Sequence, residues 1–369
     1  MSSMLHRAGR LMLAVMGLLA ACAPAGGMPP AAPSADPADC KIAFLLPETK
    51  TARYETQDLP NFRQRLAELG FDTANHLIYS NAHQDAAAQQ QQAEAALTNG
   101  ARVLVLDPVD SNAAAKIADL AHSQNVPVIS YDRLINGSTG VSYYISFDNE
   151  LVGQLQATAL LAAIKPAAPG QLPVIVMING SPTDNNASEF KRGAHRVLDG
   201  QVDIAKEYDT PDWSPDKAQQ QMEQALTALN NRVDGVYAAN DGTGGGAIAA
   251  MKAAGLRPLP PVTGQDAELA AIQRILIGEQ YMTVYKAIRP EARVAAELAQ
   301  ALCRGERPVG GRFAQTVNNG VIDVPSVLLT PIAVTRNNVK QTVVDDGFWT
   351  VAQICTAEYE AACRATGLK

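Results

Sequence analysis

From residue 41 onward the chain alternates between two hydrophobic periods. Apolar runs at 42–46, 103–106, 126–130, 174–178 and 233–238 have strand length. Between them lie Ala/Gln/Leu-rich segments of helical spacing, such as "DAAAQQQQAEAALTNG", which Gly100 closes. The repeat predicts βαβ units. Runs that are apolar at every position belong to strands covered on both faces, so the expected class is α/β with doubly wound parallel sheets. The number of runs implies two such sheets, with a change of partner near 143–149, where "VSYYISFDNE" reads as a strand running straight into a helix capped by Asp148.

Ligands of open parallel sheets bind beyond the carboxyl ends of the strands, so the residues after each apolar run are the candidates for chemistry. They are Asp107; Asp132 and Arg133; Asp184, Asn185 and Asn186; Asn240 and Asp241; and Gln265 and Asp266. Because Asp and Asn also cap helices, Asp107, Asp148 and Asp241 are assigned to that structural role. The pair Asp132-Arg133 ends a strand so apolar that a cleft wall suits it better than open surface. "DGTGGG" at 241–246 has neither GK[ST] nor a nearby base, so it reads as a tight strand-to-helix turn rather than a phosphate loop. His6 falls in the amino-terminal leader, and His76, His83, His122 and His195 lack paired spacing, so no metal site or catalytic triad assembles from them. A neutral polyol fits the remaining Asp, Asn and Arg, since each hydroxyl both donates and accepts while an aromatic face covers the apolar side of a sugar ring.

Composition narrows the classes further. The 369 residues are 47% apolar and 5% aromatic, enough for two or three packed lobes, and the formal net charge of -7 argues against a nucleic-acid partner. Arg7 and Arg10 precede an apolar stretch at 11–21, shorter than the roughly 20 residues a membrane span needs, which reads as a signal peptide. Its end, Leu19-Ala20-Ala21-Cys22, resembles the lipobox of bacterial lipoproteins, with Cys22 as the lipidated residue; an ordinary secretory signal with an incidental Cys is the alternative. Residues 1–22 would be the signal and 23–40 a Pro/Ala/Gly tether. Four cysteines then remain in an oxidising compartment without metal-site spacing. Cys355 and Cys363 are expected to form a local disulfide pinning a tail at 351–369, and Cys40 and Cys303 to be free buried thiols.

The stretches "YDRLI", "YYISFDNE", "GSPTDNNA", "DWSPDKA", "AANDGTGGGAIAA", "TGQDAEL", "MTVYKAI" and "NNGVIDVPSVLLTPIAVTRNNV" occur in one order between about 41 and 349. In them the chain resembles the periplasmic sugar-binding proteins of bacterial ABC importers, the pentose and hexose group that shares its fold with ribose-binding protein. "ARYE" carries Tyr54 where xylose binders of that group carry a Trp, and the lipobox and tail are additions. The resemblance implies a type I periplasmic binding protein: two lobes joined by a three-crossing hinge, lobe 1 at 41–145 plus 269–319 and lobe 2 at 146–268 plus 320–350. It also implies a site. Arg53, Tyr54, Asp132, Arg133 and Lys286 would face Asn186, Trp213, Asn240 and Asp266, with Trp213 stacking on a pyranose ring; bland alternatives are a Trp capping a satellite core and a solvated Lys.

The implied function is a monomeric, lipid-anchored, extracytoplasmic receptor without cofactor that captures an aldopentose such as D-xylose and delivers it to an ABC permease. A multi-sugar binder that also feeds a chemotaxis or sensor-kinase receptor is the alternative. A sugar-processing enzyme would need a positioned acid/base pair, and a sugar-responsive repressor would need a DNA-reading helix pair where the lipobox stands.

Overall fold

The computed structural model describes residues 39–164 and 170–368. Cys22, the signal segment and nearly all of the tether lie outside them. The chain first builds β1 (Lys41–Leu46), α1 (Leu59–Glu68), β2 (Leu77–Asn81), α2 (Ala86–Thr98), β3 (Ala101–Leu106), α3 (Ala115–Ser123), β4 (Val128–Tyr131) and β5 (Val141–Phe147). It then crosses at Asp148 into a second lobe made of α4 (Asn149–Ala163), β6 (Val174–Asn179), α5 (Asn185–Leu198), β7 (Asp203–Asp209), α6 (Pro215–Ala228), β8 (Gly235–Ala238), α7 (Asp241–Ala253), α8 (Leu269–Ile277) and β9 (Met282–Tyr285). At 286–287 it returns to the first lobe for α9 (Ile288–Cys303), β10 (Gln315–Asn318) and β11 (Asp323–Leu329). A last crossing at 330–331 leads to β12 (Ile332–Thr335), α10 (Val351–Ile354) and α11 (Glu360–Ala365).

The first sheet runs β10-β11-β5-β4-β3-β1-β2, parallel except for β10 against β11. In the second, β7-β6-β8 is parallel, single bridges at Val262 and Gln265 carry the order on to β9, and β12 pairs antiparallel with β9. The alternation of side chains along each strand explains the continuous apolar runs. In β1, Ile42, Phe44 and Leu46 pack on one face and Ala43 and Leu45 on the other; in β6, Ile175 and Met177 oppose Val176 and Ile178.

Three sequence expectations are corrected here. The crossings lie at 148, 286–287 and 330–331, so α8 and β9 belong to the second lobe and β11 to the first; β9 is held by β12 and Gln265, while β11 pairs with β5. Residues 351–368 do not stand apart as a separate tail, because Ile354, Cys355, Cys363 and Leu368 are buried in a cluster with Ile272 and Ile275 of α8. Cys40 and Cys303 are not free thiols: they are bridged across 263 residues, Cα–Cα 5.7 Å, tying the start of β1 to the end of α9. Cys355 and Cys363 are bridged as well, Cα–Cα 5.9 Å. No helix among the described residues is long and apolar enough to cross a membrane.

Candidate functional site

Between the lobes, at the carboxyl ends of both sheets, the chain closes around a small cavity. Arg53, Tyr54, Asp132, Arg133, Asn186, Trp213, Asn240, Asp266 and Lys286 all line it, joined by Thr51, Asp184, Phe190 and Gln265. Every one of these side chains is buried.

The lobe 1 wall is ionic. Arg53 opens a π-helical turn at Tyr54–Asp58, a wide local geometry frequent at functional sites. Its guanidinium pairs with Asp58 at 2.7 Å, Asp132 at 3.0 Å and Glu291 of α9 at 2.8 Å. The Tyr54 hydroxyl donates to Asp132 Oδ2 (3.3 Å) and accepts from Arg133 Nη2 (3.0 Å), while both guanidiniums lie over its ring. Asp132, in the left-handed region at φ 54°, aims its carboxylate at Arg53 and at Lys286 Nζ, 3.6 Å away. Asp132 and Arg133 therefore do not pair chiefly with each other: Arg133 reaches across the cleft to Asp184, with Nε 3.0 Å from Oδ2.

The lobe 2 wall is mostly uncharged. Asp184 caps α5 by accepting from the backbone N–H of Asn186, and accepts from Trp213 Nε1 at 3.0 Å. Trp213 itself sits at φ 52°, unusual for a bulky residue. Its indole occupies the space a side chain at residue 180 would need: a Cβ on Gly180 would lie 2.0 Å from the ring. Phe190, one helical turn beyond Asn186, meets Trp213 edge-on at 6.3 Å. Asn240 caps α7 in a capping box with Thr243. Asn186 is already spent between the lobes, donating to the Asp132 carbonyl (3.0 Å) and accepting from Asn149 (3.0 Å). Lys286, at the second crossing, lies 3.3 Å from Asp266.

With this geometry in view, kinship can be read. Residues 42–307 match the family model described as a periplasmic binding protein domain. The chain belongs to the periplasmic binding protein family. It is 39% identical over 315 residues, 84% of this chain and 91% of the relative, to the D-xylose-binding periplasmic protein of Escherichia coli (strain K12). To a multiple sugar-binding periplasmic receptor of Rhizobium radiobacter it is 34% identical, covering 85% and 92%. A carbohydrate transporter solute binding protein from Chloroflexus aurantiacus, solved in complex with D-glucose, superposes with a TM-score of 0.77 at 32% identity over 85% of this chain and 98% of that one. The fold is the type I periplasmic binding protein fold.

The electrostatics of this binding protein follow from a mismatch. Seven carboxyl groups (Glu48, Asp58, Asp107, Asp132, Asp184, Asp266, Glu291) surround three cations, Arg53, Arg133 and Lys286, all out of water. Burial favours the neutral form and pushes the Glu48, Asp58, Asp107, Asp184 and Glu291 carboxyls up, against the partial opposition of Arg53 or Arg133. Burial acts on Asp132 too, but Arg53, Lys286 and Arg133 together outweigh it and hold that carboxyl well below the usual range.

Two of the capping assignments fail. Asp107 caps nothing: the helix that follows starts behind Ala114, and the buried Asp107 carboxylate faces Arg133 Nε at 3.6 Å. Asp241 follows the true cap, Asn240, and its carboxylate instead accepts from Gln280, Thr283 and the backbone of Glu268. Asp148 does cap α4. Of the other lining residues, Asp184 and Gln265 stood among the strand-end candidates and Phe190 lay at i+4 from Asn186; Thr51 carried no signal. Glu291 stood out only as an acid on an otherwise apolar helix face. A wider groove outside α5 holds Lys191, Arg192 and Arg196, but these already pair with Glu207 and Glu150.

Proposed function

We propose that this binding protein is an extracytoplasmic receptor that encloses one monosaccharide, an aldopentose such as D-xylose, and delivers it to an ABC permease, held at the membrane by a lipid on Cys22. The observation that carries the reading is a buried cavity between the lobes whose walls combine ionised donors and acceptors from lobe 1, carboxamides from lobe 2 and the indole of Trp213. Hydroxyls need such a mixture, and an apolar sugar face needs the plane. Two relatives named for D-xylose, at 39% and 38% identity, support that sugar. Contacts from both lobes, such as Arg133 to Asp184 and Asn186 to the Asp132 carbonyl, mean that a ligand between them favours closure, and the closed form is the one to be handed on. Relatives named as sugar-binding periplasmic proteins favour holding a sugar over turning one over.

Asp266 supplies the test. The α8 cap is Glu268, so replacing Asp266 removes no helix cap. Asp266→Ala deletes an acceptor of charge-assisted bonds, each contributing about 1.5–3 kcal/mol, and D-xylose affinity should fall by roughly tenfold or much more. Calorimetric titration with an aldose panel, before and after exhaustive EDTA dialysis, checks both the sugar and its independence from metal. Preserved affinity in Asp266→Ala would defeat the site assignment. Mass spectrometry of membrane-extracted protein checks the Cys22 adduct.

A further inference from the structure

We infer that Gln265 is a specificity-determining residue of this cavity, its carboxamide oxygen accepting a hydrogen bond from one hydroxyl of the enclosed ring. The inference rests on the monosaccharide reading above and adds a residue that the strand-end pattern alone left unassigned.

Consecutive side chains on an extended strand point to opposite faces, so Gln265 and Asp266 should not share a cavity. They do, because Asp266 turns into the left-handed region at φ 91° and Ala267 follows at φ 48°. The backbone is pinned while it turns: Gln265 bridges to Val284, its carbonyl accepts from the Asp241 N–H at 3.0 Å, and the Asp266 N–H donates to the Val284 carbonyl at 2.9 Å. Non-glycine residues held this way cost free energy, and such strain clusters where a side chain must be aimed.

What is aimed is an unpaired acceptor. Gln265 is 2% exposed, and its Oε1 is buried without a hydrogen-bond partner. Buried polar atoms are nearly always satisfied, so an orphan on a cavity wall points to a donor from outside the chain. A cation is the wrong donor, since Lys286 stands on the same wall and already lies 3.3 Å from Asp266. A hydroxyl is the right one: it donates to the amide oxygen and still accepts from a neighbour. A site built to bond a hydroxyl discriminates strongly against a ligand that cannot present it.

The experiment is calorimetric titration of the wild-type chain and Gln265→Leu with D-xylose and its three single epimers, D-lyxose, D-ribose and L-arabinose, together with sugar-free melting curves. The expected result is a loss of tenfold or more for D-xylose, a smaller loss for an epimer whose hydroxyl points away from residue 265, and a sugar-free melting temperature that does not fall. A D-xylose affinity within threefold of wild type overturns the inference. So does an equal loss for every sugar the wild type binds, or a lowered sugar-free melting temperature, both signs of a merely structural residue. If the wild-type chain binds none of the four, the aldopentose reading fails instead.

Discussion

The two walls of the cleft spend their polar atoms differently. On lobe 1, Arg53, Tyr54, Asp132 and Arg133 are bonded to one another and to Asp58, Glu291 and the Pro108 carbonyl. On lobe 2, Asn240 holds the start of its helix, Trp213 is fixed by one bond, and Gln265 keeps an oxygen unspent. The difference separates two tasks. A network in which each charge is fixed by others is set in advance and loses little freedom when a ligand arrives. On the function proposed above, the carboxamide that lobe 2 leaves unspent at Gln265 is what a ligand would complete.

The largest effect expected from this contrast comes from cutting the network. Arg53→Ala leaves Asp58, Asp132 and Glu291 buried without their shared cation, and breaking a buried pair in this way costs about 3–5 kcal/mol. On the other wall, Asn240→Ala removes a helix cap for about 1 kcal/mol. Urea unfolding of the two variants without sugar measures both. Equal losses would erase the distinction between a self-supporting wall and a ligand-completed one.

A second effect, on the order of 3 kcal/mol, lies behind lobe 2. Burial, only partly opposed by Arg274, pushes Asp241 from its ordinary 3.8 to about 7, and burial beside Asp241 and Asp266 pushes Glu268 to about 8. The folded state therefore holds protons that the unfolded chain has released. Stability from these groups is complete below about pH 4 and is lost as pH rises to about 8. Asp132 runs the other way, since its lowered carboxyl contributes stability above its ordinary value and loses it only in acid. Glu48, Asp58, Asp107 and Glu291 on lobe 1 shift upward like Asp241, so the whole-protein profile mixes both walls. Melting temperatures of wild type and Asp241→Asn between pH 4 and 8 separate them: the variant should show the flatter profile, whatever its absolute stability. Parallel profiles would remove Asp241 from the account.

How much of this was legible follows from what each feature depends on. Parallel strands betray themselves because burial on both faces leaves apolar runs such as "FLL" and "VIVM" unbroken, and the acids, amides and Arg that follow them mark the cleft. Which lobe a strand joins is a matter of pairing, and "MTVY" looks the same whether it lies beside β12 or in the other sheet. The Cys40–Cys303 bridge spans too many residues for spacing to announce it. Asp107 and Asp241 occupy cap-like positions, but their partners, Arg133 and Gln280, arrive from distant segments. Gln265 stood among the strand-end candidates, but that it shares the cavity with Asp266 was hidden for a local reason: the turn falls on Asp266 and Ala267, where no glycine signals a positive φ.

The smallest effect tests whether the lobe 2 wall is also held shut from its rim. Gln84, on the turn after β2 at φ 68°, donates from Nε2 to the carbonyl of Asp212 on the opposite lobe at 3.1 Å. Asp212 (φ 60°) immediately precedes Trp213, so this bond joins two strained turns and steadies the backbone that carries the indole. It joins lobe to lobe and so is complete only in the closed form, which places its worth in the escape of the ligand rather than in its capture. Gln84→Ala removes one partly buried bond of about 0.5–1.5 kcal/mol, equal to roughly a two- to tenfold loss of affinity. Stopped-flow measurement of Trp fluorescence should place that loss in a faster dissociation rate with association unchanged. A slower association with unaltered dissociation would mean that the contact forms before closure, and the rim would then belong with the preset wall of lobe 1.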